Sequence, residues 1–139
     1  KSCLYSLENP MTPKRSKLIH LGILSSIVLA AMPAGAQDGP LSPQEIQAKW
    51  VGKTMVGIIG SGPTAGSTIE FTMNADGTAA VSGAAVDTGT WRLSEQGYCA
   101  TWKKIRGGQE RCFTIIRKGT EQHVINPDGS LSTKVMQTR

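Results

Sequence analysis

Residues 98–116, YCATWKKIRGGQERCFTII, decide the fold because they contain two strand patterns joined by a glycine turn. Apolar and polar residues alternate in both halves, and the apolar positions are Tyr98, Ala100, Trp102, Phe113 and Ile115. A period of two indicates a strand with one buried face. The Gly107-Gly108 pair between the halves is a turn signal. The stretch therefore predicts an antiparallel hairpin with one core-facing side.

Cys99 and Cys112 test the register of this hairpin. A two-residue turn centred on Gly107-Gly108 would keep their sulfurs apart, whereas a four-residue loop, residues 104–107, sets the two cysteines opposite each other. We predict the longer loop, with Gly107 in the left-handed conformation that favours glycine. In an oxidising compartment such a pair indicates a disulfide. The alternative is a redox or metal pair, but the spacing is not Cys-x-x-Cys, and His123 adds too few ligands.

The same alternation continues through the rest of the domain, with turn signals between the segments. It predicts eight strands near residues 53–59, 67–73, 78–83, 86–93, 98–103, 110–116, 121–126 and 130–136. Eight short antiparallel strands favour a mainly β fold, a small up-and-down barrel, because closure removes exposed edges. A two-sheet sandwich is the alternative.

One short helix is predicted before the strands. Ser42 can cap it, Pro43 suits the first helical position, and Glu45 completes a capping box. Gly52 is the predicted stop, and residues 37–40 form a linker.

Residues 11–36 have the features of a signal peptide. A basic stretch, residues 14–17, precedes an apolar run, residues 18–32, and Ala34-Gly35-Ala36 offers small residues for cleavage before Gln37. Residues 1–10 precede Met11 and are treated as an upstream, non-native or mis-set start. We therefore expect a single domain, residues 37–139, that is periplasmic or secreted and has no membrane span.

The positive charge of the chain is unevenly distributed. The formal net charge is +5 overall, but residues 37–139 hold 11 basic and 9 acidic residues, a net charge of +2. A nucleic-acid binder is usually far more basic, so we expect no nucleic-acid partner. Six basic residues nevertheless cluster within 16 positions: Lys103, Lys104, Arg106, Arg111, Arg117 and Lys118. They are interpreted as the solvated tip and edge of a hairpin, with a contact surface for an anionic envelope component or an acidic protein as the alternative.

Few residues indicate catalysis or a cofactor. His123 is the one histidine after Gln37, and no nucleophile elbow accompanies it. Residues 60–66 lack the Lys-Ser/Thr ending of a phosphate loop and are interpreted as an inter-strand loop. We expect no catalytic residue, no cofactor and no metal site. Three tryptophans, Trp50, Trp91 and Trp102, are interpreted as structural, although tryptophan can also line a ligand site.

The pattern Gly89-Thr90-Trp91, then Cys99-Ala100-Thr101-Trp102, then Cys112, resembles small exported bacterial domains of unknown function. The resemblance covers roughly residues 41–136 and implies an envelope setting, without a known activity. In architecture alone the chain is also similar to periplasmic metalloprotease inhibitors. The predicted function is a non-enzymatic binding or interaction domain of the bacterial envelope. The alternatives are a protease inhibitor, which would insert residues 37–41 or a hairpin tip into a protease cleft, and a small hydrolase using His123.

Overall fold

The computed structural model describes residues 37–139, so the predicted signal peptide and residues 1–10 lie outside the described residues. The fold is mainly β, as predicted, with one short helix. Its elements are β1 (Gly39–Pro40), α1 (Pro43–Lys49), β2 (Thr54–Ile59), β3 (Thr68–Met73), β4 (Thr78–Gly83), β5 (Asp87–Ser94), β6 (Gly97–Trp102), β7 (Arg111–Lys118), β8 (Glu121–Ile125) and β9 (Leu131–Thr138).

Strands β2 to β9 form a closed antiparallel barrel, which confirms the predicted fold and not the sandwich. Each strand pairs with the next along the chain, and β9 returns to pair with β2. The pattern of inward apolar and outward polar positions explains this arrangement, because a sheet with one apolar face buries it by closing on itself. Within residues 37–139, no helix has the length and apolar character needed to cross a membrane.

The β6–β7 hairpin has the predicted register. Cys99 lies opposite Cys112 and the two form a disulfide. Gly107 has the predicted left-handed backbone, with φ of 63°.

The predicted four-residue loop of this hairpin is wrong, because the strands separate after the Ala100–Arg111 pair and leave residues 103–110 as the connection. The buried carboxylate of Asp87 accepts hydrogen bonds from the backbone N–H groups of Lys104 and Ile105, at 2.8 and 2.9 Å. These bonds draw the end of β6 toward β5 and away from β7.

Helix α1 closes one end of the barrel. Its capping box is present, since the Ser42 hydroxyl accepts from the Glu45 N–H and the Glu45 carboxylate accepts from the Ser42 N–H. The helix directs Ile46 and Trp50, which are 0% and 1% exposed, into the core. The indole N–H of Trp50 donates to Gln122 at 2.7 Å. We call the end of the barrel that α1 covers the closed end.

The linker predicted over residues 37–40 contains a strand that the sequence analysis missed. In β1, Gly39 and Pro40 pair with Arg117 and Ile116 of β7. Strand β6 begins at Gly97, which pairs with Thr114, so the same edge of β7 is free beyond Thr114. Gly39 and Pro40 pair with this free edge. Leu41 follows and is 1% exposed, so this segment is fastened to the barrel wall.

Candidate functional site

The end of the barrel opposite α1 is open. Four connections surround it: residues 60–67, 84–86, 103–110 and 126–130. We call this end the mouth. The loop at residues 60–66 joins β2 to β3, as predicted, and Ser61 to Thr64 form part of the mouth.

Behind the mouth lies a cavity of about 450 Å³ inside the barrel. Its walls are largely apolar and aromatic, and include Phe71, Val81, Trp91, Tyr98, Trp102 and Phe113. Small side chains at inward positions, such as Ala79 and Ala100, leave the space unfilled. Cavities of this size and apolar character typically hold small molecules.

The three tryptophans differ in how fully they are buried. Trp50 is a core residue, packed at the closed end against Phe71 and Tyr98 with ring centroids 5.6 and 6.1 Å apart. Trp91 and Trp102 are half-buried, pack against the core and also line the cavity. The Trp91 indole N–H donates to the Asn74 carbonyl at 2.8 Å. Trp91 and Trp102 therefore combine a structural position with exposure to the cavity.

The six predicted basic residues do not form one surface. Lys103, Lys104, Arg106 and Arg111 lie at the mouth, whereas Arg117 and Lys118 lie at the far end of β7. Arg111 and Arg117 are six residues apart on one strand, which separates them by roughly 20 Å. Only Arg106 and Arg111 line the cavity.

Arg117 belongs to the closed end and has a structural partner. Its guanidinium forms an ion pair with Glu45 of α1 and also donates to the Gln37 carbonyl at 3.1 Å. The hydrogen bond from the Ser42 N–H and the bond from Arg117 lower the pKa of Glu45 to about 2. Arg117 thus fastens the helix and the N-terminal strand to β7.

Arg106 is held over the aromatic wall of the cavity. Its guanidinium carbon lies 5.3 Å from the centroid of the Phe113 ring, within cation–π range. Phe113 in turn stacks on Tyr98, with centroids 5.2 Å apart. Burial, and then the nearby charge of Arg111, lowers the pKa of Arg106. The mouth therefore presents positive charge directly above an apolar floor.

Two residues at the mouth were not predicted as site residues. Asp87 positions the 103–110 loop, and the Ile105 N–H is the main cause of its lowered pKa. Asn126 is 9% exposed and lines the cavity. In the sequence Asp87 lies within the predicted strand at residues 86–93, and Asn126 opens the turn-like stretch 126–129, where such residues are common for backbone reasons, so no local signal distinguishes them.

His123 lies apart from the cavity, on the outer wall. Its side chain is 15% exposed, and its Nε2 lies 3.0 Å from one carboxylate oxygen of Glu121. The other carboxylate oxygen of Glu121 forms an ion pair with Lys134 at 2.5 Å. The cavity walls do not include it. The arrangement that the hydrolase alternative needs, His123 beside a serine or carboxylate in a cleft, is not formed by residues 37–139.

One group of potential metal ligands occurs in the described part of the chain. Ligand atoms of Cys99, Glu110 and Cys112 lie within 4.8 Å of one another. The two sulfurs are joined to each other. Glu110 forms a two-point ion pair with Arg92, at 2.6 and 3.0 Å. The three ligand atoms are therefore close together because a disulfide lies beside an ion pair.

The fold and the cavity define an eight-stranded up-and-down barrel that is closed by a helix at one end and open at the other. Comparisons with protein-family models, with curated proteins and with solved structures gave no match to this chain.

Proposed function

We propose that the domain is a binding protein that holds one small, mostly apolar molecule inside the barrel. The observation that carries this proposal is the open cavity of about 450 Å³ behind the mouth. Eight-stranded barrels are either filled by their own side chains or wide enough for one small ligand. Here the closed end is filled and the mouth half is not.

The energetics favour an apolar ligand. Half-buried aromatic rings, among them Trp91 and Trp102, face the cavity and are exposed to water when it is empty. Covering apolar surface yields roughly 25 cal/mol per Å², so a ligand that covers the walls gains affinity without any specific contact. Polar groups at the rim then orient the molecule.

The same geometry gives less support to the protease-inhibitor alternative. Residues 39–40 pair with β7, and the Asp38 carboxylate accepts from the Gly119 N–H at 2.7 Å. A segment fastened in this way would have to detach before it could enter a protease cleft.

We further propose that the domain acts after export, in the periplasm or outside the cell, as the signal-peptide pattern of residues 11–36 predicts. The disulfide supports this setting, because disulfides persist in oxidising compartments. Intact-mass measurement of the exported protein should give a chain that begins at Gln37. A mature form that retains residues 18–32 would contradict the proposal.

Binding can be tested with two uncharged probes, N-phenyl-1-naphthylamine and 1-decanol. Titration should show saturable one-to-one binding, with a rise in naphthylamine fluorescence and a change in the emission of the cavity tryptophans. Ala100→Phe fills the cavity and should weaken binding at least tenfold. Ala80→Phe is the matched control, because Ala80 is an exposed strand residue that the cavity walls do not include.

A second variant guards against overpacking by Ala100→Phe. Ala85 lines the mouth and its neighbour Ala84 is exposed, so Ala85→Trp should obstruct access while Ala84→Trp should not. All four variants are first compared by melting temperature. Absence of saturable binding of both probes to the wild type, or equal binding to folded Ala85→Trp and Ala84→Trp, would overturn the proposed function.

A further inference from the structure

Arg106 and Arg111 stand out among the arginines of the described chain because neither forms an ion pair there. Within residues 37–139, three arginines form ion pairs: Arg92 with Glu110, Arg117 with Glu45 and Arg139 with Glu70. No described carboxylate oxygen lies within 4 Å of the guanidinium of Arg106 or Arg111. These are also the two arginines that line the cavity.

Placing these two charges together is unfavourable in the free protein. Both are cations at every physiological pH, because a guanidinium does not lose its proton. Like charges near a partly buried surface repel each other, and an anion between them would remove the repulsion and supply the missing partner. The pair therefore has the electrostatics of an anion site.

The backbone at Arg106 is constrained in a way that fits this role. Arg106 has φ of 57° and ψ of 27°, and it is the one residue other than glycine with positive φ in the described chain. A side chain with a Cβ disfavours this region, and such residues are concentrated at functional sites. The Asp87 carboxylate holds the preceding two residues, so the loop keeps Arg106 over Phe113.

Asn126 provides a second, independent indication of a ligand. It is 9% exposed, it lines the cavity, and its Oδ1 is buried without a hydrogen-bond partner. Ser130 Oγ donates to Asp128 at 2.6 Å, and so it accepts from Asn126 Nδ2 at 3.0 Å. This fixes the amide orientation and leaves Oδ1 as the free acceptor. A buried acceptor without a partner is costly, and a small turn of the Asn126 side chain toward the cavity that it lines would let a ligand donor satisfy it.

We propose that the ligand is an amphipathic carboxylic acid that carries a hydroxyl group close to its acid end. Its apolar body fills the cavity, its carboxylate lies between Arg106 and Arg111, and its hydroxyl donates to Asn126 Oδ1. The hydroxyl is placed near the acid because Asn126 follows Ile125, which pairs with Thr114 of the strand that Arg111 begins, and both Asn126 and Arg111 line the cavity. This inference rests on the proposed function.

The head group can be tested with three ten-carbon probes that share the apolar chain: decanoate, 1-decanol and decylammonium. Calorimetry and tryptophan emission at pH 7 and low salt should give decanoate at least a tenfold tighter binding than 1-decanol, and decylammonium the weakest. The double variant Arg106→Gln and Arg111→Gln should lose that advantage, so that it binds decanoate no more tightly than 1-decanol.

A matched control removes two positive charges at the closed end. The double variant Lys53→Gln and Lys118→Gln has the same net charge as the arginine variant but leaves the mouth intact. It should bind decanoate within twofold of the wild type. An equal loss in both variants would mean that net charge alone attracts the acid, and it would overturn the proposed site.

The hydroxyl is tested by comparing 3-hydroxydecanoate with decanoate. The wild type should bind the hydroxy acid at least threefold more tightly, and Asn126→Leu should remove this difference while keeping the preference for decanoate over 1-decanol. Equal binding of decanoate, 1-decanol and decylammonium to the wild type would overturn the inference and leave the proposed function standing. Failure of both uncharged probes, N-phenyl-1-naphthylamine and 1-decanol, to bind would instead remove the proposed function itself.

Discussion

Strand β7 carries an arginine near each of its two ends, and the surroundings of these two arginines differ. At the closed end, Arg117 is 12% exposed and is neutralised by Glu45. At the mouth, Arg111 begins the strand and shares the cavity rim with Arg106, and it forms no ion pair within residues 37–139. A cation with a partner within its own chain stabilises the fold, whereas one held without a partner is available to an anion. The comparison separates structural charge from charge that is free for binding.

The aromatic residues repeat this difference. Trp50 is sealed at the closed end, and its indole N–H is bonded to Gln122. Trp102 is half-buried and faces the cavity. The closed end is packed as a core, whereas the mouth exposes the surface on which we propose a ligand binds, and each prediction below tests that division.

The largest effect is expected from Trp50→Ala, which should lower the free energy of unfolding by about 3–5 kcal/mol. It empties a fully buried site and leaves Gln122 without its donor. Trp102→Ala should cost less, about 1–3 kcal/mol, because part of that ring already faces the cavity. Urea denaturation of both variants gives the comparison. A larger loss for Trp102→Ala would reverse the assignment of the two ends.

Loss of the disulfide ranks next. Replacing Cys99 and Cys112 with Ala should lower the free energy of unfolding by about 3 kcal/mol, as expected for a loop of this length. Because Cys112 follows Arg111, hydrogen exchange should rise more in residues 103–110 than in α1. Reduction of the wild type should reproduce the effect. Labelling of both cysteines by an alkylating agent without reductant would contradict the pairing.

A smaller, pH-dependent effect is expected at the closed end. The pKa of Glu45 is lowered from 4.5 to about 2, so between these values the unfolded state binds more protons than the folded state. The stability that Glu45 contributes is therefore present above pH 4.5 and is lost as the pH falls toward 2.

Glu45→Gln should melt lower than the wild type at pH 7, and the difference should shrink on acidification to pH 2. Glu95→Gln is the control, because Glu95 is an exposed residue outside the described ion pairs. A constant difference between Glu45→Gln and the wild type from pH 7 to pH 2 would show that the ion pair with Arg117 contributes nothing.

The strands could be predicted from the sequence because their signal is local. Period-two alternation and regular turns are visible along the chain, and all eight predicted strands are present with ends shifted by at most two residues. The cysteine register was predictable because a covalent pair restricts the geometry. Strand β1 was missed, since Gly39-Pro40 is too short to show a period, and its pairing depends on where β6 begins.

The site could be predicted only in part, because it depends on contacts between distant segments. The six clustered basic residues are close in sequence, but strand β7 carries two of them to the opposite end of the barrel. The loop at residues 103–110 takes its shape from Asp87, which lies at least 16 positions away in the sequence. The cavity could have been suspected from the small inward residues Ala79 and Ala100, which are too small to fill a barrel of this size.

Arg106→Gly should have the smallest effect on stability, although its effect on binding should be large. Glycine tolerates the left-handed backbone that costs other residues about 1–2 kcal/mol. That gain offsets the lost cation–π contact with Phe113, worth about 0.5–1 kcal/mol at an exposed site. The free energy of unfolding should therefore change by less than about 1 kcal/mol.

Decanoate binding should nevertheless weaken at least tenfold in Arg106→Gly, with 1-decanol binding unchanged. Arg117→Gln should do the opposite: it should lower the melting temperature, because Glu45 loses its partner, and leave decanoate binding unchanged. Chemical denaturation and calorimetry on the two variants test the comparison directly. If Arg106→Gly destabilised the domain as much as Arg117→Gln and kept full affinity for decanoate, the arginine at the mouth would be structural as well.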